Sequence, residues 1–282
     1  PPPPSSMDIT LPANQLVLLN AVLEKIGNTK PVTLLLFNGG TIALPDTLLT
    51  APNVAIVECW YPGASGGTSI AEALFGKTNR WGKLSVTYYN KAFTAASPFT
   101  NMNMTATPTS PGRSYKYLRN TTLASFPFGF GLSYTTFKVE RESPAIVQLT
   151  GSDARANVTF RVTNTGSIAG DEVVFLFLNS SSTAARERQR GLLPPAADPM
   201  AIKQLVGYER VHLAAGASTT VLFEVGAKAA LTTVDGRGTR HALAGEHELF
   251  ASRGHGEVAV VKVLLDLNGA RRRVISTMEG LY

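Results

Sequence analysis

The stretch GASGG, residues 63–67, is the motif that most directly suggests chemistry. It fits the pattern G-x-S-x-G, in which a nucleophilic serine sits on a sharp turn between a strand and a helix. Ser65 would then attack an ester with help from an acid and a histidine at later strand ends of the same sheet. All four histidines, at 212, 241, 247 and 255, instead lie in the second half of the chain. We therefore interpret the stretch as a glycine turn and retain a serine esterase that uses Ser65 as an alternative.

Carboxylates could supply acid–base chemistry at a few places along the chain. Glu58 lies in an apolar strand pattern, Glu72 in a helical turn, and Asp171 and Glu172 begin a later strand. Acid–base catalysis by a pair of carboxylates needs two groups that face each other across the reacting bond. None of these residues stands opposite another in a recognisable pair. We therefore expect solvated or structural roles for them and assign no catalytic residue in this chain.

Two aromatic residues, Trp60 and Tyr61, directly follow an apolar strand pattern, and the turn NGG at 38–40 follows the strand before it. Ligands of open α/β sheets bind outside the carboxyl ends of the strands. Trp60 and Tyr61 are therefore the candidate substrate-binding residues, as aromatic platforms that line a ligand site. Core or interface packing of the two rings, and a tight turn at NGG, explain the same pattern without a ligand, and this structural alternative is favoured.

The elements that would position these residues change character along the chain. Over the first hundred residues, PANQLVLLNAVLEKIG is a helix with Leu16, Leu19 and Leu23 on one face, and PVTLLLF and NVAIVECW are buried strands. This order predicts part of a parallel sheet covered by helices, with further strands outside this chain. After about residue 144, short alternating segments separated by turns predict an antiparallel β-sandwich. The polar, proline-rich stretch at 184–200 is predicted to be a loop between strands.

A segment rich in aromatic residues, glycine and proline joins the two regions. It reads PGRSYKYLRNTTLASFPFGFGLSYTTF, residues 111–137. Pro127 and the glycines at 129 and 131 exclude an ordinary helix, and proline also disfavours a central strand. The segment therefore predicts an ordered, irregular connector. Its rings are too many to leave in water, so we expect them to be buried between the flanking domains.

Composition excludes two classes of partner. No apolar run approaches the roughly 18–20 residues that span a bilayer, so we expect no membrane partner. The net charge of +6 owes much to RERQR at 186–190 and RRR at 271–273. Glu187 interrupts the first run and no nucleic-acid-binding motif accompanies either, so we expect no nucleic-acid partner.

Cysteine and asparagine usage bears on the cellular compartment. Cys59 is the single cysteine, so an internal disulfide is excluded and a buried thiol is expected. No secretion signal is visible at the N-terminus. Four candidate glycosylation sites nevertheless favour an extracellular or lumenal location. They are Asn103, Asn120, Asn157 and Asn179.

The motifs taken in order resemble the C-terminal part of family-three glycoside hydrolases. They include PVTLLLFNGG, VECWYPGASGGTSIAEALFGKTNRWGKLSVTYY, NTGSIAGDEVVFLFL and KQLVGYERVHLAAGAS. The stretches TNMNM, PGRSYKY and FPFGFGLSYTTF are most similar to the β-xylosidase and α-L-arabinofuranosidase branch. The match runs from about residue 8 to 267.

This resemblance implies a fold and an activity. A complete enzyme of the family has a (β/α) barrel, an α/β sandwich and a fibronectin type III-like β-sandwich. The implied reaction is hydrolysis of terminal β-xylosyl or arabinosyl residues in xylan or arabinoxylan, without metal or organic cofactor. The implied partners are a plant cell-wall oligosaccharide or polysaccharide and the missing N-terminal barrel domain of the same parent enzyme.

The resemblance also implies that the catalytic groups lie elsewhere. The family's nucleophile is an aspartate on the barrel, and its acid/base is a glutamate shortly before a segment like MDITLPANQ. The residues PPPPSS stand in that place here, so we expect both catalytic carboxylates outside this sequence and a truncated chain that is inactive alone. A non-catalytic carbohydrate-binding or scaffold protein is the alternative.

The expected fold class is α/β followed by all-β, in three parts and a tail. Residues 1–118 form a partial α/β sandwich domain with part of a parallel sheet. Residues 119–140 form the glycine-aromatic connector. Residues 141–275 form a fibronectin type III-like β-sandwich, and residues 276–282 form the tail.

Overall fold

The computed structural model describes residues 9–179, 201–235 and 238–276. The loop predicted at 184–200, the N-terminal proline run and most of the predicted tail lie outside the described residues. No helix in the described part of the chain is long and apolar enough to cross a membrane.

The first region is a small α/β layer. Its elements are α1 (Ala13–Ile26), β1 (Val32–Leu36), α2 (Asp46–Leu49), β2 (Val54–Glu58) and α3 (Gly66–Leu74). Strands β1 and β2 pair in parallel, with Val32 opposite Val54 and Leu36 opposite Glu58. The carboxyl ends of both strands therefore meet at the same edge of the sheet.

A leucine-rich core lies beneath this sheet. Leu19 on α1 packs there with Leu36, Leu44 and Leu48, and the predicted partners Leu16 and Leu23 are half-buried against the same cluster. The opposite side of α1 exposes Val17 and Leu18. The described part of the chain therefore covers only one apolar face of α1 and leaves these two side chains exposed.

The following segment forms short elements that lead into the connector. They are β3 (Tyr88–Tyr89), α4 (Lys91–Ala96), α5 (Ser114–Tyr117), a 3₁₀ turn (Thr121–Leu123) and β4 (Ala124–Phe126). In the segment GKLSVTYY, residues 82–89, only the two residues of β3 form a strand. It pairs antiparallel with β4 rather than extending the parallel sheet, because Leu84 already exchanges backbone hydrogen bonds with the connector at Gly129 and Phe130.

The second region is rich in β-strands. Its elements are β5 (Phe137–Arg141), β6 (Ile146–Thr150), β7 (Arg155–Asn164), β8 (Gly170–Asn179), β9 (Lys203–Leu213), β10 (Ser218–Gly226), α6 (Ala227–Ala230), β11 (Thr232–Val234), β12 (Arg240–Leu243), β13 (Gly245–Ser252), β14 (Val258–Asp266) and β15 (Arg272–Ser276). The sheets have the orders β6-β14-β13-β8-β9, β10-β7-β5 and β11-β12-β15. The fold class predicted from the sequence is confirmed. One pairing differs from the predicted antiparallel arrangement: β6 runs parallel to β14.

The core of this region lies between the five-stranded and the β10-β7-β5 sheets. Phe160, Val162, Val174, Leu249 and Val261 belong to it and are almost completely buried. Alternate residues of long strands such as β7 and β14 are buried, as expected for strands with one face on a core.

The connector packs its rings on the outer face of β8. Phe128 stacks on Tyr115 with ring centroids 4.4 Å apart, and it lies 5.6 Å from Phe175 and 6.3 Å from Phe177. Tyr134 remains 45% exposed. The connector is therefore an ordered segment whose central rings join the two regions, with one helical turn at α5.

Candidate functional site

A polar cluster lies at the carboxyl ends of β1 and β2. Glu58, the last residue of β2, accepts hydrogen bonds from the side-chain amide of Asn38 at 3.2 Å and the backbone N–H of Trp60 at 2.9 Å. The Tyr88 hydroxyl donates to the same carboxylate. Three chain segments therefore meet on one acidic side chain at the edge where α/β folds bind ligands.

The two predicted substrate-binding residues lie beside this cluster. Trp60 adopts a left-handed backbone conformation with φ of 51°, and its ring lies 6.3 Å from that of Tyr88. Tyr61 is 78% exposed, and its ring covers Gly39, where an added Cβ would lie 2.6 Å from the ring. The structure thus brings Trp60, Tyr61 and the NGG turn together, and the Tyr61 ring points away from any core.

The charge state of Glu58 follows from its surroundings. Burial raises the pKa of the Glu58 carboxyl above its ordinary value, and hydrogen bonds from Trp60 and Asn38 oppose this shift. The neighbouring Cys59 is half-buried rather than buried, and burial together with the Glu58 charge raises the pKa of its thiol. All donors around the carboxylate favour its ionised form.

The GASGG stretch forms the glycine turn that the sequence predicts. Gly66 donates its N–H to the Gly63 carbonyl at 2.9 Å, and an added Cβ on Gly66 would lie 2.3 Å from the Cβ of Pro62. Ser65 is exposed at the start of α3. The packing of this turn therefore accounts for glycine at position 66, and no nucleophilic role of Ser65 is needed to explain the motif.

The histidines have partners inside the β-rich region. The pairs are His212 with Asp171, His241 with Asp235, and His247 with the Leu243 carbonyl. The ring of His255 lies 5.4 Å from that of Phe130. Across residues 9–179, 201–235 and 238–276, no histidine is hydrogen-bonded to Ser65, so these residues do not form an esterase triad.

Two of the remaining acidic candidates form ion pairs near the surface. Glu72 meets Lys77 at 2.5 Å, and Asp171 meets Arg210 at 2.8 Å and His212 at 2.6 Å. These contacts fit the solvated or structural roles expected from the sequence. In the part of the chain that the structure describes, no three His, Cys, Asp or Glu side chains gather as metal ligands.

Glu172, in contrast, is the centre of a buried ion network between the two regions. It is 2% exposed and meets Lys83, 6% exposed, at 2.8 Å and Arg253 at 3.3 Å. Lys83 also donates to the Gly131 carbonyl of the connector at 2.9 Å. Burial lowers the pKa of Lys83, while the Glu172 charge opposes that shift. The network joins the first region, the connector, strand β8 and the residue that follows β13.

Asn79 forms a second polar link at the same junction. Its side chain donates to the Ala169 carbonyl at 3.1 Å and accepts from the Ser133 hydroxyl at 3.0 Å and the Tyr134 N–H at 3.2 Å. Its backbone carbonyl accepts from Asp171 N–H at 3.0 Å. The segment around residues 79–84 is therefore fixed to both neighbours.

His255 makes this junction sensitive to acid. Burial lowers the pKa of His255, and the charges of Lys83 and Arg253 lower it further, against the opposing charge of Glu172. The native state therefore binds this proton more weakly than the unfolded chain, whose histidine titrates at about 6.5. The stability contributed by neutral His255 is present above about pH 6.5 and is lost as pH falls through the lowered native pKa.

We expect the melting temperature to fall between pH 7 and pH 5 and this fall to be smaller in His255→Gln. Differential scanning fluorimetry over that range measures both slopes. An identical slope in His255→Gln and wild type would contradict the assignment.

The structure places the candidate glycosylation residues in different settings. Asn103, Asn120 and Asn157 are exposed, and the Asn120 side chain accepts hydrogen bonds from the backbone and hydroxyl of Thr122. Asn179 donates to Glu248 at 3.2 Å, and the serine of its acceptor triplet lies outside the described residues.

Sequence reasoning missed two partners of Glu58. Asn38 could have been found, because parallel pairing of Leu36 with Glu58 places the residues after β1 beside the end of β2. Tyr88 gives no such signal, because it lies 30 residues beyond Glu58 and reaches it only through the folded segment after α3.

Comparison with known proteins divides the chain into two matching parts. Residues 4–134 match the glycosyl hydrolase family 3 C-terminal domain, and residues 193–254 match the fibronectin type III-like domain. Both matches follow the order of the two structural regions.

The similar proteins include several xylosidases. The chain is 32% identical over 268 residues to Beta-D-xylosidase 1 of Arabidopsis thaliana, covering 86% of this chain and 33% of that relative. It is 38% identical over 212 residues to Xylan 1,4-beta-xylosidase of Xylanibacter ruminicola, covering 75% and 21%.

A solved structure gives the same picture. A family 3 exo-beta-xylosidase, XlnD, in complex with a xylobiose aziridine probe, superposes with a TM-score of 0.77 at 26% identity, covering 98% of this chain and 36% of that one. The chain thus spans about a third or less of the length of the curated relatives named above.

Proposed function

Because this chain belongs to glycoside hydrolase family 3, of which it carries the C-terminal and fibronectin type III-like domains, we propose that it serves a β-xylosidase-like glycosidase as a supporting part. The parent reaction is hydrolysis of terminal β-xylosyl or arabinosyl residues of xylan or arabinoxylan. The named xylosidase relatives support this substrate class. The described residues support the reaction by packing and positioning rather than by breaking the bond.

One observation supports the proposal that another domain supplies the catalytic groups. The acidic candidates are committed to partners within the chain: Glu58 to Asn38, Trp60 and Tyr88; Glu72 to Lys77; Asp171 to Arg210 and His212; Glu172 to Lys83 and Arg253. A retaining glycosidase instead holds two carboxyl groups about 5–5.5 Å apart across an open substrate site. The proposed partner for chemistry is a barrel domain of the same parent enzyme.

We expect purified chain to release no 4-nitrophenol from 4-nitrophenyl β-D-xylopyranoside or α-L-arabinofuranoside above the buffer rate. The physical reason is that the described residues position neither a nucleophile nor an acid/base across an open site. Turnover that disappears in Glu58→Gln or Glu72→Gln would overturn this proposal. In a parallel assay with 4-nitrophenyl acetate, Ser65→Ala should behave as wild type, because Ser65 lies on a structural turn.

A carbohydrate-binding role without hydrolysis is a second candidate. The exposed Tyr61 ring over Gly39, beside Trp60, is the observation that favours it, because flat exposed rings bind the apolar faces of sugars. We also propose a division of the chain into domains at residues 118, 140 and 275. We further propose an extracellular or lumenal location, with glycosylation at Asn103, Asn120, Asn157 and Asn179.

A further inference from the structure

The turn after β2 holds an unfavourable backbone conformation that needs a cause. Trp60 has φ of 51°, in the left-handed region that bulky residues rarely adopt. Such strain persists only where surrounding contacts hold it, and it clusters at binding and catalytic sites. The nearest following glycine is Gly63, three residues further on, so the chain does not place glycine at the strained position of Trp60.

The Glu58 carboxylate supplies the contacts that hold this turn. One oxygen, Oε1, accepts the Trp60 N–H at 2.9 Å, across a span of two residues. The other oxygen, Oε2, accepts from the Asn38 amide at 3.2 Å and from the Tyr88 hydroxyl. The carboxylate is therefore fixed from two other segments and in turn fixes the backbone of Trp60.

This arrangement determines where the next ring lies. Tyr61 follows the strained residue, is 78% exposed, and covers Gly39 so closely that no side chain fits beneath it. Phe37, which directly follows β1, is also exposed. The Asn38 side-chain oxygen accepts from the Gly40 N–H at 3.3 Å, so it too is engaged in the turn. The site presents rings rather than free charges, which suits a neutral sugar chain.

We propose that Glu58 is a positioning residue for a carbohydrate platform: its hydrogen bond to Trp60 fixes the left-handed turn that presents the Tyr61 ring to a xylo-oligosaccharide. This inference rests on the proposed function for its ligand class. The positioning of Trp60 by Glu58 can be tested without any ligand. Glu58 acts through Trp60 and Tyr61 and does not itself contact the sugar.

The first measurement detects the turn in the free protein. The chain has two tryptophans, Trp60 and Trp81, whose indole N–H signals are assigned in ¹⁵N-labelled protein with Trp60→Phe. In Glu58→Ala we expect the backbone and indole signals of Trp60 to shift while the Trp81 signal stays. Glu58→Gln keeps an acceptor for the Trp60 N–H and should restore signals near those of wild type. Glu72→Ala is the matched control and should move neither signal.

The second measurement titrates xylotetraose into the same proteins. We expect Tyr61→Ala to abolish the ligand-induced shift of Trp60, Glu58→Ala to weaken binding at least fivefold, and Glu58→Gln to stay within twofold of wild type. Unchanged Trp60 signals in Glu58→Ala overturn the positioning role. Xylotetraose that shifts no wild-type signal, with Trp60 still displaced in Glu58→Ala, overturns the sugar platform alone. Equal affinity of wild type and a well-folded Tyr61→Ala overturns the assignment of the ring.

Discussion

Replacing Glu172 with alanine is expected to lower the free energy of unfolding by about 3–5 kcal/mol, the loss typical of removing one partner of a buried ion pair. Glu172 and Lys83 are 2% and 6% exposed and lie 2.8 Å apart. The substitution leaves the Lys83 ammonium buried, with the Gly131 carbonyl as its remaining acceptor among the described residues. It also removes the acceptor of the Arg253 guanidinium and of the Val173 N–H. Urea unfolding followed by circular dichroism and tryptophan fluorescence measures the loss.

Two further variants separate burial of charge from simple loss of contact. Glu224→Ala removes an ion pair with Arg155 that is largely exposed on both sides, so its cost should be about 1 kcal/mol or less. The double variant Glu172→Ala with Lys83→Met should lose less unfolding free energy than the two single variants lose together, because no uncompensated ammonium remains. A loss near that of Glu224→Ala would show that the junction does not depend on Glu172.

The sequence could not distinguish Glu172 from its neighbour Asp171. Both begin the same strand, and alternation requires that adjacent residues face opposite sides. Which of them becomes buried depends on Lys83 and on Arg253, 81 residues further along the chain. Such partners have no spacing rule, because they come together only after the first region packs on the sandwich.

Local patterns predicted the elements well where burial is continuous or strictly periodic. Leu16, Leu19 and Leu23 indicated the inner face of α1, and the apolar runs indicated β1, β2 and β8. The parallel pairing of β6 with β14 was not predictable, because β6 could pair in either direction and only the position of β5 and β7 in the other sheet decides it.

The candidate site was predictable in part. Trp60 and Tyr61 could be proposed because they follow a strand, and parallel strands end at one edge. The role of Glu58 could not, because it depends on the φ angle of Trp60 and on Tyr88, a residue from a separate segment. Sequence patterns indicate which residues reach an edge, and long-range packing decides which of them are fixed there.

The burial pattern of strand β8 indicates packing on both of its faces. All five residues from Val174 to Leu178 are buried, although strands of an antiparallel sandwich usually bury alternate residues. Val174, Leu176 and Leu178 pack in the sandwich core, whereas Phe175 and Phe177 meet the rings of the connector. The continuous run therefore reflects two packed faces, with the sandwich on one side and the connector on the other.

Phe177→Ala is consequently expected to cost about 3–5 kcal/mol of unfolding free energy, as for other buried aromatic residues replaced by alanine. Phe177 is 1% exposed, stacks on Phe250 at 5.3 Å, meets Tyr115 at 5.9 Å, and has the Lys203 ammonium 4.7 Å from its ring centre. The cavity would lie between the sandwich and the connector, and it could close only if both moved. Urea unfolding gives the size of the loss.

Native-state hydrogen exchange shows where the Phe177→Ala loss falls. We expect faster exchange in residues 114–130, which lie within the segment 111–137, at urea concentrations where the sandwich core remains protected, because the ring contacts that hold this segment on β8 are gone. Leu176→Ala is the matched control: it leaves a cavity of similar cost in the sandwich core, and the connector should exchange no faster than the core around it. If the connector stays as protected in Phe177→Ala as in Leu176→Ala, the contact of Phe128 with Phe175 suffices to hold it, and the two-sided packing of β8 does not depend on Phe177.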